Sequence, residues 1–272
     1  MNKQQSDEQK MNRSILKKTI ISFSWFFIFA IIGYFLLSTI MNAPKINEIA
    51  TPFRAVLDLN AKLFARNYVG TPLSKEFPKS VAARKVRVNG MVGLRDKLDT
   101  ANYVLRVIRY SEKSPEPSDT LLITLADLRK LPKTEVIFNF KCIEGWSQIS
   151  WWGGVRFSDF AKAYHLGTKN NQVPDPINHA DEILNYAGLK TMDSQYYVGI
   201  DMPSMMHPQT ILCYEMNGQP LKMEQGSPLR LIIPVKYGIK HLKKIGTLFF
   251  SQEPPPDYWG DRGYDYFSGL YS

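Results

Sequence analysis

Phe138-Asn139-Phe140-Lys141-Cys142-Ile143-Glu144-Gly145-Trp146-Ser147 runs on into Trp151-Trp152-Gly153-Gly154-Val155, and the rest of the chain is arranged around this stretch. Its first half, Glu135 to Lys141, is short and rich in apolar residues and reads as a strand. Cys142 falls where that strand stops. A thiol at a strand end, followed by glycine and aromatic residues, stands where rigid scaffolds present chemistry. The competing reading is a free cysteine acting as a small buried hydrophobe.

Lys141-Cys142-Ile143-Glu144-Gly145-Trp146-Ser147, followed by Trp152-Gly153-Gly154-Val155 and a short helical pattern through Phe157, Phe160 and Ala161, resembles the sulfite oxidase family of molybdopterin enzymes. The likeness is to the branch containing the bacterial periplasmic methionine-sulfoxide reductase. A second block carries it further: His207-Pro208-Gln209-Thr210, Glu215-Met216-Asn217-Gly218, Gly226-Ser227-Pro228-Leu229-Arg230-Leu231 and Pro234-Val235-Lys236-Tyr237-Gly238-Ile239-Lys240. The resemblance covers roughly Glu135 to Tyr266.

The resemblance implies an α+β fold of mixed sheets with short helices, and the molybdenum cofactor, molybdopterin. The cysteine matching Cys142 is the family's one protein ligand to molybdenum. A thiolate from the chain and two sulfurs from the pterin suit two-electron oxygen-atom transfer. Glu144 is a candidate for the surroundings of the metal, or else an ordinary loop carboxylate. Lys236 to Lys244 looks like a receiver for the pterin phosphate, with Lys236 and Lys240 in the cluster and Lys243 on the phosphate. Arg230, His241 and Leu242 lie against the cofactor by the same resemblance, and Thr191 and Gln225 match pterin-contacting positions. For the lysines the alternative is a solvated face. Related proteins use an early asparagine near the pterin; Asn60 is the candidate, against a solvent-facing residue on an amphipathic helix. The family's sulfite oxidisers carry an arginine just upstream of the cysteine, where this chain has Asn139, Phe140 and Lys141. A sulfoxide therefore fits better than a small dianion.

The chain's 272 residues can bury one sizeable domain, and its formal charge is +9. Before the first apolar run, Lys3, Lys10, Arg13, Lys17 and Lys18 against Asp7 and Glu8 contribute +3 of it (five minus two). A noncatalytic basic module holding anionic lipid or nucleic acid is the rival reading. It explains the lysines but not the Cys142 block, and Tyr237 alone among the clustered lysines is short of the interleaved aromatics that a single-strand platform requires. With only Cys142 and Cys213, the chain has no iron–sulfur ligand set and no Cys-x-x-Cys-His haem attachment. Electrons must come from a partner, which the resemblance makes a haem-containing integral membrane protein. Cys213 sits in an apolar run and reads as buried; a Cys142–Cys213 disulfide would compete with the metal-ligand reading. No zinc spacing, nucleophile elbow or nucleotide-binding glycine loop is present.

Three segments follow: a basic leader (1–19), a transmembrane anchor (20–41) and an oxidoreductase domain (42–272). Ile20 to Met41 is uncharged and apolar, and at about 1.5 Å per residue it spans a hydrocarbon core of about 30 Å. The charge excess before it predicts a cytoplasmic N-terminus and a periplasmic domain, with an uncleaved anchor preferred to a signal peptide. Asn12-Arg13-Ser14-Ile15-Leu16-Lys17 resembles a twin-arginine export signal with asparagine in place of the first arginine. Strands are predicted at Lys85 to Asn89, Tyr103 to Tyr110, Tyr196 to Ile200, Leu229 to Pro234 and Ile245 to Ser251. A strand and helix capped by Thr124 are expected over Leu121 to Leu131, and a turn at Met216 to Pro220. Proline and charge mark an exposed turn between Ser111 and Ser118. Thr168 to Ala180 reads as a surface loop near the mouth of the site, and the aromatic C-terminus as a tail folded over the domain.

Overall fold

A computed structural model describes residues 2–46, 49–67, 72–94, 102–111 and 120–269; of the turn expected at Ser111 to Ser118, all but the first residue lies outside them. The chain divides into two compact units, Met1–Val56 and Leu57–Ser272.

In the first unit, helix α1 (Asn2–Met41) is followed by β1 (Lys45–Ile46) and β2 (Ile49–Ala50), which pair antiparallel. Within α1, Met11–Met41 is long and apolar enough to cross a membrane. Phe23, Trp25, Phe26 and Phe29 are all exposed on it, a distribution that an aqueous surface would not stabilise. Helix α2 (Thr51–Asn67) comes next.

The second unit continues through β3 (Val104–Ile108), β4 (Thr120–Thr124), α3 (Leu125–Arg129), β5 (Lys133–Lys141), β6 (Ser147–Arg156) and α4 (Phe157–Tyr164). Then come β7 (Tyr186–Thr191), β8 (Tyr197–Asp201), α5 (Met202–Met205), β9 (Ile211–Met216), β10 (Gln219–Pro220), β11 (Arg230–Ile232) and β12 (Ile245–Ser251). One sheet runs β10-β9-β6-β5, with β11 also on β9; the other runs β4-β3-β12-β7-β8. All pairs are antiparallel except β12 with β3.

Local chemistry accounts for the boundaries. Thr124 caps α3 as expected, its side chain taking the Asp127 N–H while the Asp127 carboxylate takes the Thr124 N–H. At the β9–β10 turn Asn217 and Gly218 both adopt positive φ, 52° and 72°, as a tight hairpin requires. Gly154 lets β6 approach β9: a Cβ there would stand 2.2 Å from the Leu212 carbonyl oxygen.

The main core lies between the sheets, where Leu105, Val107, Val155, Phe160, Leu189, Leu212, Leu231 and Leu248 are buried together. A second cluster covers the far face of the β5–β6–β9 sheet and holds Val136, Phe138, Trp152, Ile211, Cys213 and Ile232. Strand alternation sends Val136, Phe138 and Phe140 to this face, and Cys142 is the next position in the same period. On β6, Gln148, Ser150 and Trp152 keep the same phase.

The expected strand at Lys85 to Asn89 is not one. The segment crosses the second cluster as an extended strap, and from Ala83 to Gly90 its backbone is fixed by side chains. Asn217 Nδ2 donates to the Ala83 and Arg84 carbonyls (3.0 and 3.3 Å), and Gln225 Nε2 to that of Val86 (3.3 Å). Gln148 accepts the Arg87 N–H (2.8 Å) and donates to the Lys85 carbonyl (3.2 Å). The strap's extended residues were legible, but its partners lie too far along the chain for a local pattern to show them.

Candidate functional site

The hairpin between β5 and β6 presents the cysteine. The Cys142 N–H donates to the Trp146 carbonyl (2.9 Å), and the Gly145 N–H to the Cys142 carbonyl (3.1 Å). Gly145 takes φ 88°, which glycine tolerates best, and the five-residue loop closes without disturbing the Lys141–Ser147 pair. Cys142 is thereby fixed, nearly buried, in the wall of a cavity of about 220 Å³. Cys213 is also free; it is wholly buried, its thiol is pushed up to about 12 by burial, and no disulfide joins the two.

Five sources build the cavity: the strap (Val86, Arg87, Asn89, Gly90, Val92), the β5–β6 hairpin, Tyr196 between β7 and β8, the segment from Gln225 to Lys243, and the C-terminal tail through Trp259 and Tyr264. The tail folds over the domain as the sequence led us to expect. The 168–180 loop contributes nothing to the lining.

Six of the expected site residues meet there: Cys142, Glu144, Gln225, Arg230, His241 and Lys243. Glu144 takes the Trp146 indole N–H (3.1 Å). The Asn89 amide first, and that indole second, hold its carboxyl below the usual range, so it stands as a carboxylate at neutral pH. Arg230 is buried with its guanidinium 4.6 Å from the Trp152 ring centre. Its Nη1 donates to the Gln225 carbonyl (2.9 Å). Its Nε is buried without a hydrogen-bond partner among the described residues. Burial lowers this guanidinium to about 10, leaving it charged at neutral pH.

Five expected residues are elsewhere. Asn60 is exposed on α2 and outside the cavity lining. The asparagine at the site is Asn89, whose Nδ2 lies 3.8 Å from Cys142 Sγ. The Asn89-Gly90 pair, with Gly90 at φ 73°, is the turn signal that could have found it. Thr191 closes its own turn, donating to Asp193 (2.6 Å) and accepting the Tyr196 N–H (3.1 Å). Leu242 is core. Lys236 and Lys240 are not a phosphate receiver: each is 1% exposed, one paired with Asp201 at 2.6 Å and the other with Asp257 at 2.5 Å. Burial alone would raise Asp201, but the Lys236 ammonium reverses this and holds the carboxyl below its ordinary value.

Lys243 reaches the cavity, yet its three N–H donors already meet three carbonyls, those of Asn89 (2.7 Å), Gly90 (3.1 Å) and Glu224 (3.1 Å). Burial, and then the neighbouring Arg230, push its ammonium down to about 7. It ties the strap to the 222–226 turn instead of standing ready for an anion.

His241 is fixed as a neutral ring: Nδ1 accepts the Ile233 N–H (3.4 Å), so Nε2 carries the proton and donates to the Lys236 carbonyl (3.1 Å). Burial, reinforced by Arg230, lowers it from 6.5 to about 3. Between those values the unfolded chain takes up a proton that the folded chain refuses. This contribution to stability is whole above pH 6.5 and is lost as pH falls towards 3. Urea unfolding should therefore show His241→Gln losing less stability than wild type on acidification, by up to about 1.4 kcal/mol per pH unit. Identical slopes would place the charge change elsewhere.

The model for the oxidoreductase molybdopterin binding domain matches residues 92–259, well over half of the chain. A protein of Azospira oryzae, named as protein-methionine-sulfoxide reductase subunit YedZ1, is 34% identical over 199 residues, 72% of this chain and 68% of that one. The protein-methionine-sulfoxide reductase catalytic subunit MsrP of Campylobacter jejuni is 30% identical over 208 residues, 75% of this chain and 64% of its own. Among solved structures, the sulfane dehydrogenase SoxCD from Paracoccus pantotrophus aligns with a TM-score of 0.46 at 19% identity, over 58% of this chain and 40% of that one. The chain belongs to the sulfite oxidase family of molybdopterin-binding oxidoreductases, and molybdopterin is its cofactor.

Proposed function

We propose that this chain is the catalytic part of a membrane-anchored enzyme that reduces methionine sulfoxide in proteins, with Cys142 as its molybdenum ligand. One observation carries the reading: a sulfur at a strand end shares a cavity with a buried guanidinium whose Nε has no hydrogen-bond partner among the described residues. The residues fit the cofactor, because a thiolate is the soft donor molybdenum takes and an unsatisfied buried N–H calls for an acceptor. Cys142 would hold the metal, and Arg230 Nε and Gln225 would face the pterin. The resemblance and the relatives' names support the substrate, and the absence of arginine at Asn139, Phe140 and Lys141 weighs against sulfite.

Bound molybdopterin supplies two-electron oxygen-atom transfer. The sulfoxide takes two electrons and two protons and leaves as thioether and water. Asn89 donates towards the cysteine sulfur, and Glu144 keeps that amide oriented. The apolar wall of Phe140, Trp146 and Trp259 limits water around the reacting sulfur. The two electrons come from a membrane partner carrying haem, and α1 keeps the domain beside it on the periplasmic side of the cytoplasmic membrane.

Full-length protein made in a host that synthesises molybdopterin should contain one molybdenum per chain and oxidise a reduced viologen dye with methionine sulfoxide, not with sulfite. Molybdenum-loaded protein inert towards sulfoxides would overturn the substrate. A form beginning at Pro44 should keep dye-driven turnover and lose most of the turnover driven by membranes. Equal membrane-driven rates would remove the anchor from electron delivery.

A further inference from the structure

We infer that α2 is an interfacial helix whose apolar row, Phe53, Val56, Leu59 and Leu63, lies in the periplasmic headgroup layer of the bilayer that α1 crosses. The inference rests on the anchored reading above and adds to it a second membrane contact, away from the cavity.

The row comes from spacing. At 3.6 residues per turn, Val56, Leu59 and Leu63 (i, i+3, i+7) share one face of the helix with Phe53 a turn before them, over a length of about 15 Å. All four are exposed, at 53% for Phe53, 65% for Val56, 58% for Leu59 and 50% for Leu63. Arg54, Asp58 and Lys62 follow one another at four-residue steps on the other side. Arg54 and Leu57 are half-buried, so the partly covered side of the helix is theirs and the apolar row is left open. A helix with one apolar and one charged side is stable where water meets hydrocarbon.

Connectivity selects lipid as what covers the row. β1 and β2 pair with Lys45 against Ala50, and the Thr51 N–H donates to the Pro44 carbonyl (2.9 Å). The chain thus returns to where it left, and α2 starts beside Pro44, three residues past Met41 at the end of α1. Three residues reach at most about 11 Å, and the headgroup layer beyond the hydrocarbon is about 5–8 Å deep. The first turn of α2, which includes Phe53, therefore stands at the lipid surface. A second copy or another protein would have to be brought to this row, whereas lipid is already there. One acid stands between two bases on the charged side, so the contact depends on apolar burial more than on lipid charge.

The test is full-length protein in phosphatidylcholine vesicles that contain a nitroxide-bearing phosphatidylcholine. An environment-sensitive fluorophore is attached at Leu59→Cys, at Asp58→Cys or, within the span, at Ile28→Cys, and dye-treated wild type supplies the background from Cys142 and Cys213. Quenching at position 59 should exceed that at 58 by about threefold, and Phe53→Gln, Val56→Gln and Leu63→Gln together should bring 59 down to the level of 58. The comparison of 59 with 58 needs no further substitution and stands even where the triple variant fails to fold. Quenching at 28 with none above the level of 58 at 59 would overturn the inference and leave the anchor standing. No quenching at 28 would defeat the anchored reading, and the inference with it. Quenching at 59 that survives the triple substitution would credit the tether alone and overturn the inference. Emission at 59 that is blue-shifted but not quenched would assign the row to protein, a second copy included, and overturn it too.

Discussion

Cys142→Ser will abolish molybdenum-dependent turnover, by at least about a hundredfold, and change the Mo(V) electron paramagnetic resonance signal, while the fold stays intact. The size follows from the proposed ligation: replacing groups that merely support a ligand lowers affinity or activity by about 10–100-fold, and on that proposal the serine variant lacks the soft donor itself. The fold is spared because the hairpin is closed by the backbone of Cys142, through Trp146 and Gly145, and not by its sulfur. Full molybdenum coordination and turnover in the serine variant would defeat the assignment. The companion Cys213→Ser separates burial from chemistry. It places a hydroxyl in the second cluster, so a modest loss of stability with the spectrum unchanged is expected.

Lys240→Met will destabilise the folded domain by about 3–5 kcal/mol, because it leaves Asp257 buried without its counter-charge. At about 2–4 °C per kcal/mol for a domain of this size, Tm should fall by about 6–20 °C. Asp257 also accepts the Gly199 N–H (3.1 Å) and the Gly260 N–H (2.8 Å), which asparagine satisfies only in part. Lys240→Met with Asp257→Asn should therefore lose less stability than the two single losses added together. Thermal unfolding followed by circular dichroism reads both. The opposite pattern, an unchanged Tm with the cofactor lost, would return Lys240 to the phosphate role that the lysine cluster suggested.

That cluster shows where sequence reading stops. Four lysines between positions 236 and 244 look alike on paper. What distinguishes Lys236 and Lys240 is a carboxylate 35 or 17 residues away, a relation that no local pattern carries. The end of β5 was legible because its information is local: an apolar run marks the strand and Cys142 falls where it stops, whereas the return strand β6 was not read. Asn89 was missed for the opposite reason. Its segment has no ladder of its own, so periodicity does not mark it as a wall of the site; the Asn89-Gly90 turn signal is the one local mark, and it does not say which cavity the turn borders.

The strap has a consequence for how such a cavity can change over time. Gln148, Asn217, Gln225 and Lys243 grip it by its backbone N–H and carbonyl groups, leaving the identity of most of its own side chains out of the contract. Exposed positions such as Arg84, Lys85 and Val88, none of which lines the cavity, can drift without moving the wall, so the strap's outer face is free to be rewritten while the pleated scaffold stays fixed. The anchors themselves are not so free. All four hold one short stretch, so once one is lost the next removes a restraint already loosened, and their effects will combine at less than their sum.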